Sequence, residues 1–276
     1  MKENMEFSLT DAEFKTFKDF IYDKSGIFFS EINRAILENR LFEIMLKYQY
    51  KSIMDYYEKL KNDPVEVRNF LDLITTNLTK FFRNQPQFEA LEKEVLPDIA
   101  KRNEFSRTIK IWSAGCSTGE EAYSIAAVTA YILKLTEGWD IKIIASDISL
   151  KSLMIAKEGI YKKERLDEIP PYLFDFAFED FGDIIKVKDD IKKLITFDYH
   201  NLKYDFSYKD FDIIFCRNVI IYFDQPAQKE VIDKFYKLLK PYGYLFLGHS
   251  ESLFGMQTKF KFNKVGNAIT YIKDEL

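Results

Sequence analysis

Ser113-Ala114-Gly115-Cys116-Ser117-Thr118-Gly119-Glu120-Glu121 joins an apolar run (Ile109, Ile111, Trp112) to a stretch with helical apolar spacing, and a second apolar run ends at Ser146-Asp147. A glycine turn after one strand and an acid after the next is the arrangement that receives a nucleoside at the carboxyl edge of a parallel sheet. The turn departs from the dinucleotide fingerprint. Gly115 and Gly119 stand without a third glycine, and Asp147 falls later than the roughly 20 residues that a nicotinamide site uses. A pyrophosphate needs bare N–H groups at a positive helix end, and carboxylates at Glu120 and Glu121 would repel it. They suit a cationic ligand. S-adenosylmethionine carries an ammonium and a sulfonium, no phosphate, and ribose hydroxyls that match Asp147. Complementing the helix dipole is the alternative role for the two glutamates alone; the loop and Asp147 together favour the methyl donor. The residues by themselves leave open whether Glu120 or Glu121 meets its ammonium.

The elements that must position these residues divide the chain. Residues 1–76 read as a small all-helical domain. Thr10 and Glu13 form a capping box ahead of Phe14, Phe17, Phe20 and Ile21, and Gly26 stops that helix. Leu37, Leu41, Ile44, Met45 and Tyr48 mark a second helix, Ser52 caps a third, and Asp63-Pro64 starts a fourth. Arg34, Arg40 and Lys47 on the second helix are diluted by Glu38 and Glu43 and read as a solvated face. Residues 77–95 form a linker that contributes to the donor site, and residues 96–276 an α/β domain of Rossmann-like type. Its strands are expected at 141–145, 211–216 and 244–247, with 268–272 as a final antiparallel strand, and Pro226 opens a helix before a turn at Pro241-Tyr242-Gly243. Ser149 caps a short helix that Gly159 ends. Residues 162–200 break the alternation: Lys186-Val187-Lys188 and Leu194-Ile195-Thr196-Phe197 read as short strands and Phe174, Phe176, Phe178 and Phe181 as an aromatic alternation, together a small antiparallel insertion.

Three further segments are too polar for their positions. Thr75-Thr76-Asn77-Leu78-Thr79-Lys80-Phe81-Phe82-Arg83 could close over a site or simply link helices. Asn218-Val219-Ile220-Ile221-Tyr222-Phe223-Asp224 follows a buried strand at the ligand-binding edge, where Asn218 or Asp224 could also serve as a cap. Asn201, in His200-Asn201-Leu202, caps a turn or meets an adenine edge. Ile169-Pro170-Pro171-Tyr172 resembles the tetrad of adenine-N6 methyltransferases, but its first residue is Ile169, which cannot accept from an amine, and the prolines read as a turn.

Composition narrows the classes. The chain has 276 residues and a formal charge of −4, which argues against nucleic acid as the main partner. The polar opening Met1-Lys2-Glu3-Asn4 is not that of a signal peptide, and no run has the length of a membrane span. Cys116 and Cys216 form no spacing pattern, so a reduced cytosolic compartment is expected, and His200 and His249 without a Cys/His cluster point to no metal site.

The stretches 75–83, 112–124 (Trp-Ser-Ala-Gly-Cys-Ser-Thr-Gly-Glu-Glu-Ala-Tyr-Ser), 145–148 (Ala-Ser-Asp-Ile), 215–224 (Phe-Cys-Arg-Asn-Val-Ile-Ile-Tyr-Phe-Asp) and 248–252 (Gly-His-Ser-Glu-Ser) resemble, in order, the chemotaxis receptor methyltransferases of the CheR type. The resemblance runs over essentially the whole chain. It implies an S-adenosylmethionine-dependent methyltransferase domain with an antiparallel insertion behind an all-α domain, a cytoplasmic enzyme that acts as a monomer and inserts in no membrane. It further implies methyl transfer to glutamate side chains in the cytoplasmic helical region of chemoreceptors, with S-adenosylhomocysteine as product. By the same resemblance Asn77, Thr79, Arg83 and Glu121 hold the donor, Glu121 near its amino group. Asp147 takes the ribose, Asn201 and Leu202 the adenine side, and Asn218 with Val219 the wall under the methionine moiety. Arg83 and Tyr222 face the transferred methyl and are the catalytic candidates. Members that grip a receptor's C-terminal peptide tether carry a glycine-rich turn in the insertion; here that stretch holds only Gly182, which speaks against tether binding.

The implied nucleophile is a carboxylate, already ionised near neutral pH since its ordinary pKa is about 4.3. No general base is required, in keeping with the absence of a nucleophile-activating motif. Two other classes share the donor loop: a methyltransferase acting on a small molecule or nucleic acid, and a donor-binding sensor without turnover. The missing N/D-P-P-Y and the acidic charge weigh against the nucleic-acid version, and Arg83 with Tyr222 against the sensor.

Overall fold

Local capping chemistry decides where the first helices begin. A computed structural model describes residues 8–134, 138–163 and 169–274; Met1-Lys2-Glu3-Asn4 and positions 164–168 of the expected insertion lie outside the described residues. Helix α1 (Asp11–Ser25) starts where the Thr10 hydroxyl accepts the Glu13 N–H at 3.3 Å and the Glu13 carboxylate accepts the Thr10 N–H at 2.8 Å, and it ends at Gly26 with φ of 77°. After α2 (Arg34–Tyr48), Ser52 and Asp55 form a second capping box at α3 (Ile53–Asn62). Asp63 accepts from Val65 and Glu66 at α4 (Pro64–Ile74), with proline at its first position.

These helices bury Phe14, Phe17, Leu37, Leu41, Tyr56 and Phe70 in one core. Arg34 departs from the solvated face expected of it. Its side chain is only 20% exposed, bonds Asp11 at 2.7 Å and Glu38 at 3.1 Å, and lies 4.9 Å from the Phe14 ring centre. It ties α1 to α2 because a guanidinium presents a fork of donors over a wide arc. This unit comprises the chain up to Thr76 and also Tyr222–Asp224. Phe223 forms an antiparallel bridge with Ile27, the Tyr222 carbonyl accepts the Phe28 N–H at 2.8 Å, and Tyr22 donates to Asp224 at 3.2 Å.

The second unit runs Asn77–Ile221 and Gln225–Leu276. It opens with α5 (Gln85–Ala90), a π-helical turn (Leu91–Val95) and α6 (Leu96–Arg102). Pro97 explains the widened turn: it has no N–H for the Lys93 carbonyl, and its ring would press on that carbonyl in a regular helix. Next come β1 (Thr108–Ala114), α7 (Glu120–Ile132), β2 (Asp140–Asp147), α8 (Leu150–Glu158), β3 (Ile160–Lys162) and α9 (Pro171–Ala177). They are followed by β4 (Phe178–Asp180), β5 (Ile184–Val187), α10 (Asp189–Lys192), β6 (Ile195–Tyr199) and β7 (Phe211–Cys216). A 3-10 turn (Ile220–Tyr222), α11 (Gln225–Leu238), β8 (Leu239–Leu247), β9 (Phe260–Val265) and β10 (Ala268–Lys273) complete the chain.

The seven-stranded sheet has the order β6-β2-β1-β7-β8-β10-β9. The first five strands are mutually parallel, and β10 is antiparallel to both of its neighbours. From β1 the chain winds outward through β2 to β6, then returns to β7 on the other side. The carboxyl ends of β1 and β7 therefore flank a topological switch point, where such sheets bind ligands. Helix α7 is buried almost all round, and its run of Ala122, Ala126, Ala127 and Ala130 lets it lie close to its neighbours.

Four expectations are corrected. Leu194-Ile195-Thr196-Phe197 is not part of the insertion: it contains β6, which pairs in parallel with β2 in the main sheet. The small antiparallel sheet is β3-β5-β4. Phe174 and Phe176 are helical: Pro171 is the first residue of α9, and Phe174 stacks on Phe178 four residues on at 5.8 Å, a helical spacing hidden inside an apparent alternation. Pro170-Pro171 thus opens a helix. Pro241-Tyr242-Gly243 is a bulge within β8, where the pairing jumps from Phe211↔Leu239 to Ile213↔Tyr244.

Phe81, in the loop ahead of α5, is 1% exposed and meets Tyr161 at 5.0 Å and Phe178 at 5.2 Å, both edge-on. The loop is therefore anchored on the small sheet. Phe81→Ala is expected to cost about 3–5 kcal/mol, the range for truncating a buried aromatic, in urea denaturation; a loss under about 1 kcal/mol would show that Phe81 does not anchor the loop.

Candidate functional site

The loop after β1 is built by backbone hydrogen bonds to β2. The Gly115 and Cys116 N–H groups both donate to the Ser146 carbonyl, at 2.8 and 3.0 Å, and the Trp112 indole donates to the Ser146 hydroxyl at 2.9 Å. Gly115 holds φ of +82°, and a Cβ there would fall 2.4 Å from a Val219 methyl. Only glycine lets the two loops approach so closely.

Asp147 ends β2 and is 7% exposed. Its oxygens accept the Ser117 and Ser149 N–H groups, each at 2.8 Å. The carboxylate is thereby fixed in place. The Ser117 hydroxyl donates to the Asn77 carbonyl at 3.2 Å, bringing the start of the second unit to the same edge. The His200 N–H donates to the Asp147 carbonyl at 3.0 Å, which sets Asn201 and Leu202, 7% and 8% exposed, beside it. The Asn201 side chain accepts the Lys203 N–H at 3.0 Å, the turn-capping role considered from sequence.

The two glutamates diverge. Glu120 is fully buried and accepts the Thr118 hydroxyl at 2.6 Å, within its own turn. Glu121 accepts the Ser113 hydroxyl at 2.8 Å and the Arg217 guanidinium at 3.2 Å. The Arg217 side chain is 2% exposed, Glu121 11%. Burial pushes the Glu121 carboxyl above its ordinary range, against the opposing pull of Arg217 and the Ser113 hydroxyl. Arg217 also donates to the Arg83 carbonyl and lies 5.6 Å from the Phe88 ring centre. Its Nε is buried without a hydrogen-bond partner among the described residues. Arg83 itself turns back on its loop, donating to the Leu78 carbonyl at 3.1 Å, with Thr79 half-buried between them.

Asn218 takes a left-handed conformation, φ of 58°, which asparagine tolerates better than most residues. Its N–H and that of Val219 donate to the Glu251 carboxylate at 2.7 and 2.9 Å. Tyr222 closes the 3-10 turn after them and is 38% exposed.

The second unit thus brings together Asn77, Glu121, Asp147, Asn201, Leu202, Asn218 and Val219, with the backbone of Arg83, at the carboxyl edge of β1, β2, β6 and β7. Arg217 and Glu251 were not singled out from sequence, though both fall inside motifs quoted there. An arginine directly after the all-buried run of β7, and an acid four residues past β8, were the available signals. Among the described residues no group of His, Cys, Asp or Glu is placed to hold a metal ion, and no helix is long and apolar enough to cross a membrane.

A Rossmann-like sheet of this order, with a fixed acid at the end of its second strand and a buried carboxylate in the first turn of α7, fits the S-adenosylmethionine-dependent methyltransferase class, here with a small antiparallel sheet and an all-α unit. Residues 77–269 match the family described as CheR methyltransferase, SAM binding domain, and residues 12–75 match CheR methyltransferase, all-alpha domain. The chemotaxis protein methyltransferase of Borreliella burgdorferi is 36% identical over 263 residues, covering 92% of this chain and 93% of its own. Chemotaxis protein methyltransferase 2 of Vibrio cholerae is 35% identical over 280 residues, covering 97% and 95%. The chemotaxis protein methyltransferase of Escherichia coli is 36% identical over 262 residues, covering 92% and 88%. The chain belongs to the CheR methyltransferase family, and its methyl donor is S-adenosylmethionine.

Gly115→Ala is expected to weaken S-adenosylhomocysteine binding, measured by calorimetry, by on the order of tenfold, because the strained φ and the Val219 contact cost about 1–3 kcal/mol. Unchanged affinity in a folded variant would show that the two loops do not shape the donor site.

Proposed function

We propose that this chain transfers the methyl group of S-adenosylmethionine to glutamate carboxylates in the cytoplasmic helical region of chemoreceptors, forming methyl esters, and that it does so in the cytoplasm as a monomer. Membership of a family whose relatives are chemotaxis methyltransferases supports the substrate class. The observation that carries the site is the buried Glu121–Arg217 pair at the sheet edge. A carboxylate beside a guanidinium complements a zwitterion, the form of the donor's amino-acid end. Arg217 Nε, buried without a partner, is a donor that a carboxylate in the site would satisfy.

In this reading Glu121 faces the donor ammonium, since Glu120 is turned into Thr118, and Asp147 receives the ribose hydroxyls. Asn77, Thr79 and Arg83 hold the donor from the linker of residues 77–95, Asn201 and Leu202 flank the adenine, and Asn218 with Val219 wall the methionine moiety. The domain limits follow the same logic: residues 1–76 for the helical domain and 96–276 for the methyltransferase domain.

When bound, S-adenosylmethionine supplies an electrophilic methyl on a positively charged sulfur. Arg83 and Tyr222 orient the incoming glutamate for in-line attack by hydrogen bonds, without the full neutralisation that would blunt its nucleophilicity. The protein needs no base, because a carboxylate is ionised at neutral pH. It needs no acid either, because the departing sulfur leaves as a neutral thioether.

Radiolabelled methyl carried onto a receptor's cytoplasmic fragment is expected to be released as methanol by mild base, the signature of a carboxyl ester. Label that survives base would overturn the glutamate assignment. In the same assay Arg83→Ala and Tyr222→Phe should lower kcat at least about tenfold, and by more than they weaken donor binding, the pattern of interactions strengthened in the transition state. Equal loss of donor binding would make them binding residues instead.

A further inference from the structure

The second unit also carries a cavity of about 470 Å³ bounded by α5, the π-helical turn, α7 and α9. Its floor is apolar: Phe82, Phe88, Val128 and Leu173 are each 3% exposed or less. Its rim is polar and aromatic. Tyr131 and Tyr172 remain 42% and 40% exposed, with ring centres 5.1 Å apart and planes tilted by 52°. Phe176 supports Tyr131 edge-on at 5.5 Å, so that ring is held in place although half its surface is open.

The rim charges are Glu89, Glu92 and Lys93. Lys93 lies 3.4 Å from Glu89 in an exposed pair, which cancels both to first order. Glu92 remains, held by the Tyr172 hydroxyl at 2.9 Å from each of its oxygens. Glu92 owes its place to the π-helical turn, which Pro97 imposes on a helix that would otherwise present a different residue. A fixed carboxylate next to two exposed aromatic faces attracts a cation, because the ring faces are themselves negative. An anion meets repulsion from both.

We propose that this cavity docks a basic peptide segment of a partner protein, with an arginine or lysine side chain laid over the exposed surfaces of Tyr131 and Tyr172 beside Glu92. The apolar floor accepts the aliphatic stem that such side chains bury below their charged heads. The volume lies in the range of ordinary ligand pockets and exceeds what a single side chain fills, which favours a peptide over an isolated cation. The cavity shares Phe88 with the donor side, where that ring lies 5.6 Å from Arg217, but the docking itself rests on Tyr131, Tyr172 and Glu92.

The test uses the full chain and a fluorescein-labelled decapeptide of alternating arginine and alanine, read by anisotropy. A glutamate–alanine peptide of the same length and free arginine serve as comparisons. Glu92→Gln removes the charge but keeps the shape, and Tyr131→Ala removes one ring; calorimetry with S-adenosylhomocysteine verifies that both variants fold. The basic peptide is expected to bind saturably, and each variant to weaken it by about tenfold or more, as for truncation of a binding hot spot. Equal affinity for the parent and both variants would place the peptide on another acidic surface and overturn the proposal. So would absence of saturable binding, equal binding of the acidic peptide, or displacement by free arginine at concentrations comparable to those of the peptide.

Discussion

The Glu251 carboxylate accepts backbone N–H groups from Gly248 at 2.6 Å, Asn218 at 2.7 Å, Val219 at 2.9 Å and Ile221 at 3.3 Å. A carboxylate has about four lone-pair positions, so this one side chain saturates itself on the segments that leave β7 and β8. Those segments have no regular partner of their own, and their N–H groups would otherwise be unpaired near the floor of the site. Gly248 is glycine for the same reason: a Cβ there would stand 2.6 Å from a Glu251 oxygen and 2.8 Å from the Asn218 nitrogen. Once Val219 is fixed it packs against Gly115, and the turn after β1 is positioned in turn. The edge proposed to meet the donor rests on a side chain that need not touch it.

The Glu121–Arg217 pair is a different kind of device. Removing both charges from water is costly, and such pairs are poor sources of stability. This one carries supports that offset part of the cost: the Ser113 hydroxyl on Glu121, the Arg83 carbonyl and the Phe88 ring on Arg217. Its retention at the sheet edge makes sense as preorganisation, since an opposite-charge pair already free of bulk water can be matched by a zwitterionic ligand with little further rearrangement. The same contacts link the 77–95 segment to β7, through Arg83 and Phe88.

Much of the scaffold was legible in sequence because its signals are local. Thr10 with Glu13, Ser52 with Asp55, and Ser149 with Gly159 each lie within one element, and the apolar runs ending at Ala114, Asp147 and Cys216 give the core strands and the acid after β2. The rest depends on pairing at a distance. β6 looks like an insertion strand until its partner, β2, is known. Phe174 and Phe178 satisfy a strand period and a helix period equally, and the prolines ahead of them decide for the helix. Glu251 and the backbone N–H donors that follow β7 are separated by about thirty residues, and Glu121 from Arg217 by 96. Motif reading marks the stretches in which they stand, but not that they bond.

The central claim is that the Glu251 carboxylate builds the donor edge. Replacing it with glutamine keeps the shape, removes one acceptor oxygen and turns an N–H₂ toward backbone N–H groups. Calorimetric titration of Glu251→Gln with S-adenosylhomocysteine tests this most directly. The expected result is affinity lower by on the order of tenfold or more, as leaving buried N–H groups unpaired costs about 1–3 kcal/mol, in a protein that still melts cooperatively. Parental affinity in that variant would show that the donor edge holds its form without Glu251 and would contradict the account.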